Sequence, residues 1–381
     1  MNLIHRHIFL NVLLTCTASV ALFGFVVMIG SAVKDLLGHV LAGQLAIETV
    51  VHLILLTIPV AVSYALPMGM LAGILLVLGR MSSDREITAL RSSGLSVAWL
   101  SAPIIFLAMI GVVLTLLINF EFMPRAKVAY ETELAQAVRL NPLGFITPKT
   151  FVRDFSGIVI YAGDKKDAIL KDFWLWELDS QNRVKRFARA DTGRVDFDEK
   201  NNKLVLTLQH AQAEVRDDKD PENFSAARGA ATMDQATFDL PLGKLSGTDA
   251  IRVKQKWLTF AQLMREWRRL SLPDPAVPRA ERDKQLMRVQ ITIQEKFAAA
   301  FSVLSFALLA IPLGIKVSRK ETSANFVIGL ALFMTYYFAT FTVGWLDNHP
   351  ALRPDLLMWL PNVGLQSIGL WLFYKVDRAR S

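Results

Sequence analysis

The chain has 381 residues, 52% of them hydrophobic, and a mean hydropathy of +0.35, which excludes an ordinary soluble domain because one core could not hide so much apolar surface. Net charge is +8, yet 29 of the 42 lysines and arginines lie between Glu121 and Val289, where apolar runs are short; the excess points to anionic lipid head groups and argues against nucleic acid. A single cysteine, Cys16, excludes an internal disulfide or a Cys-based metal site.

In chain order, the first apolar run, Ile8 to Ile29, is too long for the core of a signal peptide and reads as a retained span. Val51 to Leu78 and Ala98 to Phe120 follow it. After a mostly polar insert come Phe297 to Ile315, Ala324 to Leu346 and Leu356 to Tyr374. Each holds about 20 apolar residues, enough at 1.5 Å per residue to cross a hydrocarbon core of ~30 Å. The expected fold is therefore six transmembrane helices in two groups of three, residues 1–124 and 297–381, around an inserted all-β domain with helical stalks at 125–296.

Between the second and third spans, Ser83-Asp84-Arg85-Glu86 has the capping-box pattern and Gly94 is placed to end a helix. The expectation is a short amphipathic helix at about 83–93, with Ile87, Leu90 and Ala89 on one face. Spacing alone leaves two readings open: a capped connector resting on head groups, or a coupling helix presented to a cytosolic motor. In the insert, Arg125 to Leu140 reads as a helix leaving the third span. The runs Thr150–Ala162, Asp172–Leu178, Val184–Ala190, Gly193–Phe197, Lys203–Leu208 and Ala213–Arg216 read as short strands of a jelly-roll-like antiparallel domain, and 217–229 as a loop. Leu258 to Leu270 reads as a helix, Pro273 to Pro278 breaks it, and Ala280 to Lys296 resumes helical spacing into the fourth span.

Charge sets the orientation. Arg6, Arg80, Arg85, Arg91, Lys316, Arg319, Lys320, Lys375, Arg378 and Arg380 fall on one side, against Lys34 and Arg353 on the other. The positive-inside rule then makes the termini cytoplasmic and the insert external. Catalytic patterns are missing: the six histidines have no H-x-x-x-H or H-E-x-x-H spacing, and no Walker-type or G-x-S-x-G motif occurs. Glu48 and His52, four apart, read as an interfacial pair.

Several motifs occur in a telling order: Leu66-Pro67-Met68 through Leu78-Gly79-Arg80, then Asp84-Arg85-Glu86-Ile87-Thr88-Ala89-Leu90-Arg91-Ser92-Ser93-Gly94, then Asn119 to Pro124. Leu308 to Ile315, Tyr336-Tyr337 and Trp359-Leu360-Pro361-Asn362 follow. Together with the three-plus-three layout they resemble the LptF and LptG permease subunits of the lipopolysaccharide export transporter; the insert matches in position, size and strand character more than in motif.

That resemblance implies a bacterial inner-membrane permease that extracts lipopolysaccharide with a sister permease of the same family. It also implies a dimeric LptB-like cytosolic ATPase, which holds the ATP and Mg, and a periplasmic bridge of LptC/LptA-like proteins; this chain is expected to carry no cofactor and no catalytic or metal site. Carried onto this sequence, Glu86 resembles the acid of the coupling helix, with Arg85, Ile87, Leu90 and Arg91 around it. Lys34 resembles a base that meets lipid A phosphates or core sugars, the other reading being a lysine that snorkels to the interface. Phe23, Phe25, Met28 and Met68 are candidates to line a cavity for acyl chains, or else face lipid or a neighbouring helix. Relatives often carry an acid followed by Arg where this chain has Glu295 and Lys296, which favours an intra-helix or interface pair here. Two further functions stay open on the sequence: a mechanotransmitting permease acting on a periplasmic protein, and a lipid-modifying enzyme.

Overall fold

A computed structural model describes residues 3–41, 45–140, 146–153, 157–166, 169–179, 183–198, 203–215, 229–241, 254–272, 278–316, 322–345 and 352–378. Of the loop predicted at 217–229 only Gly229 is described, and it opens a strand; of the break predicted at 273–278 only Pro278 is described; Arg319, Lys320, Arg380 and the side chain of Lys34 lie outside the described residues. The chain divides into two compact units: 1–30, 57–127 and 254–381 form the first, and 31–56 with 128–253 the second.

The first unit is helical. It contains most of α1 (Leu3–Leu41) and α2 (Ile47–Ser83), then α3 (Glu86–Ser92), α4 (Val97–Leu117), a π-helical turn (Ile118–Phe122) and the start of α5 (Met123–Leu140). After the second unit come α6 (Phe260–Ser271), α7 (Arg279–Lys316), α8 (Thr322–Gly344), the single turn α9 (Pro354–Leu357) and α10 (Leu360–Arg378). Helix α7 is central: Val303, Phe306, Leu309, Ala310 and Ile311 are fully buried, and it packs against α4, α6, α8 and α10.

Among the described residues five helices, not six, are long and apolar enough to span a bilayer: Leu3–Ala32, Ile47–Ser83, Val97–Ala137, Glu281–Lys316 and Pro354–Arg378. The run expected at 324–346 forms α8, whose apolar described part is only Gly329–Gly344.

Helices α1 and α2 cross closely because small residues meet there. A Cβ on Gly69 would stand 2.3 Å from Val20 Cγ2, and one on Gly73 would stand 2.6 Å from Cys16 Sγ and 2.7 Å from Cys16 Cα. Gly24 faces Ala65 one turn further along. Small residues four apart let two backbones approach where no water drives association. Gly79, further along the same helix, faces open space. Gly73→Leu should therefore lower the detergent melting midpoint, the overpacking costing ~1–3 kcal/mol. Gly79→Ala should leave that midpoint unchanged or raise it.

The second unit holds an antiparallel sheet, β1 (Phe151–Val152), β2 (Ile158–Lys166), β3 (Ile169–Leu178), β4 (Val184–Asp198), β5 (Lys203–Val215) and β6 (Gly229–Pro241). Their order is 1-2-3-4-5-6, each strand pairing with its neighbour in sequence. This corrects the jelly-roll expectation: the described strands form a meander, whereas a jelly roll requires partners distant in sequence.

A crease runs across the meander. Buried positions alternate by two along each strand but skip three between Leu170 and Phe173, between Ala190 and Gly193, and between Leu208 and Ala211. The pairing puts these skips side by side, with Lys171 opposite Thr192 and Thr192 opposite Gln209. Asp172 (φ 47°) and His210 (φ 52°) are left-handed at the crease. A slip of one residue in a single strand would turn its core residues to solvent; slipping in step keeps the inner face apolar on both sides. That face forms one cluster with Leu36, Leu45, Leu53, Tyr130 and Ile146.

Candidate functional site

The turn helix α3 is where the sequence placed a coupling element, but it is built differently. Helix α2 continues through Ser83, so the capping box does not form; Arg85, left-handed at φ 62°, starts α3 with no side-chain cap. The chain reverses because Arg85 N–H bonds Ser82 O (3.1 Å) while Arg85 O already accepts from Ala89 N–H (3.0 Å). At the other end Gly94 (φ 90°) donates to Arg91 O and Leu95 to Leu90 O, the paired bonds of a glycine-terminated helix.

The seven residues of α3 divide sharply. Ile87 is 4% exposed and Leu90 half-buried, both packed into the helical core; beneath them lies an apolar pocket lined by Ile8, Leu78, Met81, Leu100, Ile104 and Ile315. Ala89, expected beside them, is exposed with Arg85, Glu86 and Thr88, and Arg91 is half-buried. The face open to another molecule is thus Arg85, Glu86 and Ala89, while Ile87 and Leu90 anchor the helix from below.

The mounting of α3 reaches every neighbouring helix. Ser82 Oγ donates to Ile315 O of α7 (2.8 Å), Val97 N–H to Asp377 Oδ1 of α10 (3.1 Å), and His5 Nε2 of α1 to Trp99 O of α4 (3.0 Å).

The candidate cavity residues are dispersed. On α1, Cys16, Val20 and Gly24 are committed to α2, whereas Leu22 (61%), Phe25 (55%) and Val26 (59%) are exposed and Phe23 and Met28 half-buried. Met68 lies elsewhere, in a groove with Leu71, Ala72, Leu75 and Leu330 of α8. Lys34 is not in a loop but in the continuation of α1, which at 39 residues is about 58 Å long. His52 pairs with Glu133 (2.7 Å) rather than Glu48.

Sequence reasoning missed the most tightly built polar junction. Pro124 has no N–H, and a proline inside a helix clashes with the carbonyl four residues back. The preceding turn widens to a π-helix in which Met123 N–H bonds Ile118 O, so neither Met123 nor Pro124 serves Asn119 O. Lys296 Nζ fills that vacancy, donating to Asn119 O (2.8 Å) and Leu258 O (3.1 Å), with the Phe120 ring 5.4 Å away. The Asn119 side chain accepts from Ser63 Oγ, and Glu295 pairs with Lys256 (3.3 Å). The readable signal was Pro124 inside an otherwise helical pattern with a lone lysine at the start of an apolar helix.

The Tyr336 and Asn362 motifs meet on α7. Ala298 O accepts from Tyr336 Oη (3.2 Å) and Asn362 Nδ2 (2.8 Å), while Ser305 Oγ donates to Asn362 Oδ1 (2.9 Å) and accepts from Gln366 Nε2 (3.0 Å). In lipid such bonds join helices that have no hydrophobic drive to associate. Among the described residues no group of three His, Cys, Asp or Glu is placed to hold a metal.

Long apolar helices locked to one another by buried polar contacts, a short turn helix that exposes Glu86 and an inserted antiparallel sheet define a multi-pass membrane permease. The model of the lipopolysaccharide export system permease LptF/LptG family matches residues 6–375, and the chain belongs to that family. Membership puts it among permease subunits rather than enzymes. No curated protein matches the chain.

Proposed function

We propose that this chain is one of two permeases in an ABC-type exporter and that α3 is the lever through which a separate cytosolic ATPase drives it. The observation that carries this reading is the division of α3: Ile87 and Leu90 are sunk in the helical core, and Arg85, Glu86 and Ala89 face out. A carboxylate there can accept a charge-assisted bond from a basic groove of the ATPase, and the bonds of Ser82, Val97 and His5 pass the motion to α7, α10, α1 and α4.

The basic ends of the helices, Arg6, Arg80, Arg85, Arg91, Lys316, Lys375 and Arg378, support placing α3 and the termini in the cytoplasm and the sheet in the periplasm. The exposed apolar flank of α1 at Leu22, Phe25 and Val26, with the half-buried Phe23 and Met28 beside it, and the groove at Met68 are the surfaces proposed for acyl chains and the sister permease; Lys34 is proposed for a lipid phosphate. Strand β6 pairs on one side only among the described strands, and a 13-residue edge offers free backbone groups to a strand of the periplasmic bridge.

Cysteine scanning checks the lever. Cys16 is buried, so new thiols on α3 are the accessible ones. In membranes that contain the ATPase, Ala89→Cys should form a disulfide with a cysteine placed in the ATPase groove, and Ile87→Cys should not. Equal cross-linking at both positions, or at neither, counts against an ATPase seated on this face.

A further inference from the structure

Helix α6 has a role that the permease mechanism leaves unused. Phe260, Leu263, Met264, Trp267 and Leu270 recur at helical spacing, and Leu263 is fully buried against Phe120, Val289 and Ile293. Gln262 Oε1 accepts from Thr259 N–H (2.9 Å), and the Phe260 and Phe120 rings meet edge-on at 5.2 Å. One side of α6 is therefore fixed to α7 and the π-turn, which sets its level along them.

That level is the edge of the hydrocarbon. On α7, residues 281–296 include Glu281, Arg282, Asp283, Lys284, Arg288, Glu295 and Lys296, while 297–315 contain no ionisable side chain. On the other strut 97–120 contain none, and Glu121, Arg125 and Lys127 follow. The two boundaries coincide at the Lys296 contact with Asn119 O, and Lys296 also holds Leu258, two residues before α6. Trp359 bonds Gln294 (2.9 Å) at the same height, Trp257 precedes α6 and Trp267 lies within it; tryptophans gather where hydrocarbon meets head groups.

The remaining side of α6 is cationic. Arg265, Arg268, Arg269, Lys254 and Lys256 are all exposed, against the acids Glu266 and Glu295. Arg269 pairs with Glu266 (2.5 Å), Lys256 with Glu295, and Lys254 sits 4.8 Å over Trp257. Arg265 reaches only Ala261 O (3.4 Å), and neither Arg265 nor Arg268 makes an ion pair among the described residues.

We propose that α6 is an interfacial anchor whose polar side binds the phosphate head groups of anionic glycerophospholipid in the leaflet it meets, with Arg265 and Arg268 as the phosphate contacts. The occupant follows from charge complementarity at that depth, a surplus of cations pinned where lipid phosphates lie. The inference rests on the chain spanning a membrane and is independent of the cargo it moves. Bound lipid would hold the junction of α6, α7 and the π-turn at constant depth while α3 is driven from the far end.

The test uses the full-length chain in nanodiscs of phosphatidylcholine alone, with added phosphatidylglycerol, or with added lipid A. Native mass spectrometry reads retained lipid and thermal scanning reads stability. Phosphatidylglycerol should be retained and should raise the melting midpoint. R265Q/R268Q should weaken retention by about fivefold per arginine, ~30-fold for the pair. R265K/R268K should keep most of it, and R282Q/K284Q, which removes as much charge elsewhere, should keep all of it. Retention that R282Q/K284Q reduces equally, retention unchanged in R265Q/R268Q, or retention of lipid A alone each overturns the proposal. Should R265Q/R268Q fail to fold, the single variants R265Q and R268Q decide, each expected to weaken retention by about fivefold, and unchanged retention in both overturns the proposal.

Discussion

Replacing Glu86 by lysine is expected to uncouple the permease from its ATPase while leaving the permease itself folded. Glu86 is exposed and makes no contact in the helical core, so its loss costs α3 only the favourable position of an acid in the first turn, ~0.3–1 kcal/mol. Across a docked interface, a hydrogen bond to a charged group contributes ~1.5–3 kcal/mol, and charge reversal adds repulsion. Association should fall by roughly tenfold to a hundredfold, and lipid-stimulated ATP hydrolysis with it. Co-purification of the ATPase and its hydrolysis rate are the readouts, with the melting midpoint of the permease as the control. A matching acid placed in the ATPase groove should restore association to Glu86→Lys.

The second large effect is expected at Lys296. Lys296→Met leaves Asn119 O and Leu258 O without their donor, and a buried unsatisfied carbonyl costs ~1–3 kcal/mol. Relief from burying an ammonium offsets part of that, so the net loss should be a few kcal/mol. Because the ammonium joins α7 to the π-turn, the melting midpoint should drop and proteolysis near Leu258 should become faster. Lys296→Arg, which keeps the charge with a larger head, should recover part of the stability. Pro124→Ala offers a second route: it returns an N–H to Asn119 O, so Lys296→Met should be milder in that background. Equal losses with and without Pro124 would sever the proposed link between the proline and the lysine.

How far the sequence disclosed this structure depended on how local the signal was. Apolar runs of about 20 residues need no partner to be recognised, so α1, α2, α4, α7 and α10 could be read directly. The run at 324–346 does form helix α8, of which the apolar part among the described residues is Gly329–Gly344. Gly94 was readable because a left-handed helix end all but requires it. The capping box was a false lead: Ser83 had a better use as the last residue of α2.

In the sheet, two of the misplaced strand ends fall on the crease. Breaks were placed after Ala190 and Leu208, where the strands continue through an extra residue, and after Ala162, where β2 runs on through Gly163-Asp164. A lost phase in one strand looks like a turn; only the pairing reveals that all neighbours lose it together. Strand β6, rich in Ala, Thr and Gly, offered no apolar alternation to count. Near Glu86 the presence of a short helix was legible, but the inward commitment of Ile87 and Leu90 and the lysine bridge to Asn119 are long-range contacts that no window of sequence contains.

The central claim, that the exposed flank of α1 carries lipopolysaccharide on its way out of the membrane, is most directly tested by a photocrosslinker at Phe25 in the assembled exporter. The account predicts a lipopolysaccharide adduct at Phe25, absent at Val20, which is packed on α2, and diminished when ATP is supplied to the wild-type complex but not to the Glu86→Lys complex. Adducts at Phe25 with phospholipid or protein alone, or a lipopolysaccharide adduct indifferent to ATP, would contradict it.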